Sequence, residues 1–145
     1  MSADPRASLV PRTRERWLRL VLAAAGVFFI VGLYPASRLW PAGFGWHPPH
    51  PAFERMITAI YASLGVFLLL ASRRPRRYLP VIDFTIVSSA AHALVMIPDA
   101  WRVPGNRLHL ATDIPALLLL ALVLLLLRPA ASGPPAAAAR PDRER

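Results

Sequence analysis

The chain has 145 residues, 55% of them hydrophobic and 17% charged, with no cysteine and a mean hydropathy of +0.42. That balance argues against an ordinary soluble domain, which is less apolar and more charged. The missing thiols exclude disulfides, iron–sulfur clusters and Cys-based zinc sites. The net charge of +9 comes entirely from Arg. Those Arg residues flank apolar stretches and form no continuous basic face, so nucleic acid is not an expected partner.

Taken in chain order, residues 1–16 are polar, basic and Pro-containing, and read as a disordered tail. Trp17 to Tyr34 is the first apolar stretch. It exceeds the usual hydrophobic region of a signal peptide, about 7–15 residues, and its exit Tyr34-Pro35-Ala36-Ser37 lacks a small-x-small cleavage pattern, so an uncleaved span is expected. The connection PASRLWPAGFGWHPPH follows, dense in Pro, Gly and aromatics, and suited to lying on a membrane surface or capping a bundle. Further apolar stretches run over 51–71, 79–97 and about 108–127. Each approaches the roughly 20 residues needed to cross about 30 Å of hydrocarbon. Residues 129–145 are Ala/Pro-rich with terminal charges and read as a second disordered tail. The expectation is therefore all-α: one transmembrane four-helix bundle over residues 17–128.

Arg placement gives the orientation. Arg6, Arg12, Arg14, Arg16 and Arg19 precede the first span. Arg73, Arg74, Arg76 and Arg77 lie between the second and third, and Arg128, Arg140, Arg143 and Arg145 follow the fourth. With four spans these thirteen share one side, against Arg38, Arg55, Arg102 and Arg107 on the other. Positive residues collect on the cytoplasmic side, so both termini are expected there, with the Arg73–Arg77 cluster as a topology determinant. Exclusive use of Arg also suggests a GC-rich bacterial source.

Charged groups inside a membrane are costly and mark functional sites by default. Glu54, Asp83 and Asp113 lie at span edges. Each also has a capping reading: Pro51 and Pro80 open helices with Glu54 and Asp83 in the first turn, and Thr112 or Asp113 caps the fourth helix before Pro115. Asp83 sits about 6 Å inside its span, with an Arg of the 73–77 cluster as its expected partner. The third span carries a polar stripe, Thr85, Ser88, Ser89 and His92. The hydroxyls fit helix packing, while His92, about 8 Å below the outer end, needs a partner. Tyr61, His92 and Asp113 come from three spans at similar depth. They form a candidate polar pocket in the outer half, with His109 and Glu54 at its mouth. In the alternative reading Asp113 only caps and His92 bonds Ser88 or Ser89.

No metal site and no cofactor are expected. The two His of H-P-P-H, His47 and His50, stand about 9 Å apart in an extended segment, wide for one zinc. A single His deep in a span does not make a bis-His haem site. No phosphate loop, dinucleotide fingerprint or nucleophile elbow is present, so no catalytic residue is assigned and the balance favours a non-enzymatic protein.

The segments WPAGFGWHPPHPAFERMITAIYASLGVFLLLASRRP, DFTIVSSAAHALVM and HLATDIPALLL resemble a bacterial family of short four-span membrane proteins of unknown function. The resemblance covers roughly residues 17–128, implies a bacterial inner-membrane location and supplies no activity. The leading reading is an accessory or structural membrane protein. Its expected partners are the lipid bilayer and either a larger membrane protein or a second copy of the chain. The alternatives are a small transporter or proton-handling protein using the His/carboxylate cluster, and a quinone- or haem-binding redox component.

Overall fold

Proline and glycine punctuation sets the helix boundaries. Pro41, Pro51 and Pro80 each occupy one of the first two positions of a helix, where a missing N–H costs nothing. The structure, a computed structural model, describes residues 9–130, with side chains from residue 12. Its helices are α1 (Leu9–Val27), α2 (Leu33–Leu39), α3 (Pro41–Phe44), α4 (Pro51–Arg73), α5 (Leu79–Arg102) and α6 (Asp113–Leu127). A wider π turn, Phe28–Gly32, joins α1 to α2 into one span. Pro35, three residues beyond it, cannot donate the usual i→i−4 bond to Val31 within the turn. Short 3₁₀ turns, Pro75–Tyr78 and Pro104–Leu110, precede α5 and α6. Four helical stretches are long and apolar enough to cross a membrane, Arg12–Leu39, Pro51–Arg73, Pro75–Arg102 and Pro104–Leu127. The chain is thus an all-α, four-helix, multi-pass membrane protein.

The bundle consists of two tight hairpins, α1 with α4 and α5 with α6, which meet each other over much less surface. In lipid, helices associate through close van der Waals contact and not through hydrophobic exclusion, so small residues mark the crossings. Gly26 and Gly65 make the first crossing. A Cβ on Gly65 would stand 2.7 Å from the Gly26 carbonyl oxygen, and one on Gly26 would stand 2.9 Å from that of Gly65. On α5, Ile82, Thr85, Ser89, Ala93, Met96 and Ala100 form the buried face, at the three- and four-residue spacing of one helical stripe. Outward positions such as Val31, Ile60, Val87 and Leu126 are exposed and apolar, as lipid requires.

One end of the bundle carries the start of α1, the 75–78 turn and the end of α6. There Leu18, Leu22, Leu68, Ala71, Ile82 and Leu124 close a continuous core. The Arg14 guanidinium donates to the carbonyls of Leu126 (2.5 Å) and Arg128 (3.1 Å), serving acceptors that a helix end leaves unpaired. Residues 9–16 are thus helical where a disordered tail is expected from sequence. The helix already runs from Leu9, and the Arg14 bonds and an Arg19–Glu15 pair at 2.6 Å tie its first turns down. Residues 1–8 and 131–145 lie outside the described residues, and with them half of the first expected tail and most of the second. A correction concerns Asp83. Its partner is Arg128, whose Nη2 donates to Oδ2 at 2.8 Å and whose Nε donates to Oδ1. Asp83 faces α6, so the residue ending that helix reaches it before the 73–77 cluster does.

Candidate functional site

Toward the loop end the two hairpins diverge and enclose a cavity of about 510 Å³, lined by all four spans. Its walls are mostly apolar. Phe28, Ala24, Ala116 and Leu119 line it and are also exposed, so the cavity opens sideways between the first and fourth spans. The π turn carries Phe28 and Phe29 on this wall; such turns recur at functional sites because they re-aim side chains within a helix.

Tyr61, His92, Asp113 and Glu54 all line the cavity. Three rings from three spans cross its floor edge to face. Phe29 meets Tyr61 at 4.8 Å between centroids, and Tyr61 meets His92 at 5.8 Å. Neither the Tyr61 hydroxyl nor the His92 imidazole has a hydrogen-bond partner among the described residues, so both are available to whatever fills the space. The hydroxyls beside them are spent locally. Thr85 donates to the Val81 carbonyl at 2.7 Å, and Ser88 to that of Thr85 at 3.4 Å.

At the loop end the polar groups are more tightly organised. Glu54 lies in the first turn of α4, and its Oε1 accepts from the Ser37 hydroxyl at 2.6 Å. No ion pair reaches Glu54 among the described residues. Nearby Arg38 turns instead to Tyr34, with its guanidinium 5.1 Å from the ring centroid and Nη2 donating to the phenol oxygen at 3.2 Å. Asp113 opens α6, accepts the Ile114 amide at 3.0 Å, and meets Nδ1 of His109 at 2.9 and 3.0 Å through its two oxygens.

His109 differs from its expected place at the pocket mouth. It is fully buried behind Asp113 and does not line the cavity. The 3₁₀ turn 104–110 carries its ring beneath Trp46, stacked at 4.1 Å and 14°, and its Nε2 faces the Gly45 carbonyl at 3.1 Å. A nitrogen facing a carbonyl must carry hydrogen. The remaining nitrogen meets both Asp113 oxygens, and a hydrogen bond there needs one further proton, on the ring or on the carboxyl group.

Two loops form the roof. The His47 amide donates to Asn106 Oδ1 at 2.8 Å, Asn106 Nδ2 donates back to the His47 carbonyl at 3.0 Å, and Thr112 donates to the Gly43 carbonyl at 2.8 Å. The Pro-rich loop therefore caps the bundle. Above it, a second cavity of about 660 Å³ holds His47 and His50 in its lining and shares Ser37, Phe44, Trp46, Glu54 and Ile57 with the first. Among the described residues no three His, Asp or Glu side chains converge as a metal site. Sequence reasoning missed Ser37, Asn106 and Arg128 as partners, and the stacking role of Trp46. Only Trp46, in an aromatic- and Pro-rich loop, gave a signal.

Neither curated proteins nor solved structures yield a match to this chain. A family model does, over residues 12–144, and so takes in all four spans and both loops of the roof. The chain belongs to that family, described as a family of unknown function (DUF6632).

Proposed function

We propose that this chain is an accessory protein of a bacterial inner membrane, with both termini cytoplasmic, that holds an amphipathic molecule taken from the bilayer without transforming it. The observation that carries the reading is the cavity between the hairpins. It is apolar along most of its length, open to lipid between α1 and α6, and edged at one end by Glu54, Tyr61, His92 and Asp113. Ligand sites combine apolar walls with a few converging polar groups in volumes of about 300–1,000 Å³. The orientation rests on Arg12, Arg14, Arg16, Arg19, Arg73, Arg74, Arg76, Arg77 and Arg128 sharing one end of the bundle. The bacterial source rests on the sequence resemblance and the exclusive use of Arg.

A proton-handling role is the second reading, and the shared proton of the His109–Asp113 pair favours it. Haem fits less well, because His92 faces Tyr61 and not a second imidazole. The test is mass spectrometry of the chain purified in mild detergent. A lipophilic molecule should accompany it near one per chain and be lost from Ala116→Trp, which fills the opening, with helix content unchanged. Absence of any such molecule, together with no saturable uptake of added amphiphiles, would overturn the proposal.

A further inference from the structure

We infer that the occupant of the cavity is an amphipathic cation, a protonated amine on an apolar body, with its ammonium group at Glu54; this rests on the reading of the cavity as a ligand site. The charges around the cavity decide the class. Asp113 is already engaged by His109 at 2.9 Å. His92 meets Tyr61 and no carboxylate within hydrogen-bond reach. Glu54 is the one carboxylate of the lining with no ion-pair partner among the described residues. Its Oε1 meets the Ser37 hydroxyl at 2.6 Å, a group that also faces the Tyr34 carbonyl at 2.9 Å, and its Oε2 has no hydrogen-bond partner among the described residues. Arg38 acts on Glu54 electrostatically but makes no ion pair with it, its guanidinium donating to the Tyr34 phenol oxygen instead.

An unpaired carboxylate beside apolar walls is costly, and a cation offsets that cost where a neutral or anionic group does not. Phe44 and Trp46 line both cavities beside Glu54, one face of Trp46 being covered by His109, and aromatic rings attract an ammonium. Glu54 also lies on the wall common to the lipid-facing cavity and the loop-side one. A cation can therefore keep its charge at the roof while its apolar body lies between the hairpins.

The test uses the full chain in zwitterionic-lipid nanodiscs, titrated with dodecylammonium, dodecanol and dodecanoate, with empty nanodiscs subtracted. The expected result is saturable binding of the amine about tenfold or more tighter than the alcohol, as a charge-assisted hydrogen bond gives, and weakest binding of the acid. Glu54→Gln should remove the amine's advantage and leave the alcohol unchanged, and Glu54→Asp should retain most of it. The wild-type ranking decides the question even if Glu54→Gln fails to fold. Equal binding of amine and alcohol overturns the cation assignment and leaves the cavity reading standing. No saturable binding of any of the three overturns both.

Discussion

Arg128, the residue that ends the fourth span, grips both carboxylate oxygens of Asp83 one turn inside the third. The bond closes the α5–α6 hairpin at the end where Arg14 also reaches the carbonyls of Leu126 and Arg128. Three of the four spans are thereby joined by guanidinium groups. The pair is partly exposed, at 31% for Arg128 and 42% for Asp83, so its contribution is modest. Asp83→Asn or Arg128→Ala should each lower the unfolding temperature in detergent slightly. The charge reversal Asp83→Arg with Arg128→Asp should recover most of the loss. Loss of stability in the double variant beyond the sum of the singles would show that the pair does not act as a unit.

The Gly26–Gly65 crossing predicts a larger effect. A Cβ at Gly65 falls 2.7 Å from a backbone oxygen and 2.8 Å from Ile30. Backbone cannot rotate aside, so the helices must separate. Gly65→Val should destabilise by about 1–3 kcal/mol, the usual cost of overpacking, in denaturation of the purified protein. A neutral effect would mean that α1 and α4 do not pack through this glycine pair.

The roof predicts a role for Asn106. It is 1% exposed and bonds the backbone of His47 in both directions. Asn106→Ala leaves one donor and one acceptor to water, at about 1 kcal/mol each, and should free the 40–50 loop. Proteolysis within that loop should quicken while the helices stay intact. Unchanged cleavage would remove Asn106 as the tie.

The four-helix class was readable because lipid imposes it: every backbone polar group in the bilayer must be bonded within its own helix, so apolar length alone identifies a span. Rise per residue gives only an expected depth for Tyr61, His92 and Asp113; all three side chains line the same cavity. Helix rotation and loop geometry were not readable. Asp83 finds Arg128 and His109 lies beneath Trp46 because of how α5 faces α6 and how a 3₁₀ turn winds. Neither leaves a periodic trace in sequence. Ser37 lacked any signal, since its partner Glu54 lies 17 residues away across a loop.

Orientation predicts a pattern in reporter fusions. Alkaline phosphatase, active only outside the cytoplasm, should work after Gly43 and Gly105 and fail after Pro75 and Arg145. Replacing Arg73, Arg74, Arg76 and Arg77 with neutral residues should disturb insertion of the middle hairpin, since each Arg near an anionic leaflet contributes about 1 kcal/mol. Activity after Pro75 in the unaltered protein would invert the topology.

The His109–Asp113 pair yields the most discriminating prediction, because its two protonation patterns respond differently to one substitution. Nε2 faces the Gly45 carbonyl and must donate, so the shared proton lies between Nδ1 and the carboxylate. With the proton on Nδ1, the ring is an imidazolium stacked 4.1 Å from Trp46, and an imidazolium quenches indole emission. With it on the carboxyl group, the ring is neutral and quenches little. Nδ1 lies 2.9 and 3.0 Å from the two Asp113 oxygens, one of which also accepts the Ile114 amide at 3.0 Å, a set of contacts that either placement of the proton satisfies. Asp113→Asn leaves a neutral pair with every bond kept: the amide donates to Nδ1 and its oxygen accepts from Ile114. That variant should lose only about 1 kcal/mol. His109→Ala, by contrast, strands the Asp113 charge and empties the space under Trp46, at about 3–5 kcal/mol. In a protein with Trp17, Trp40 and Trp101 changed to Phe, Trp46 emission should brighten in Asp113→Asn as the ring loses its charge. Emission equal to that of the parent, with the fold retained, would place the proton on Asp113 and the ring in its neutral form.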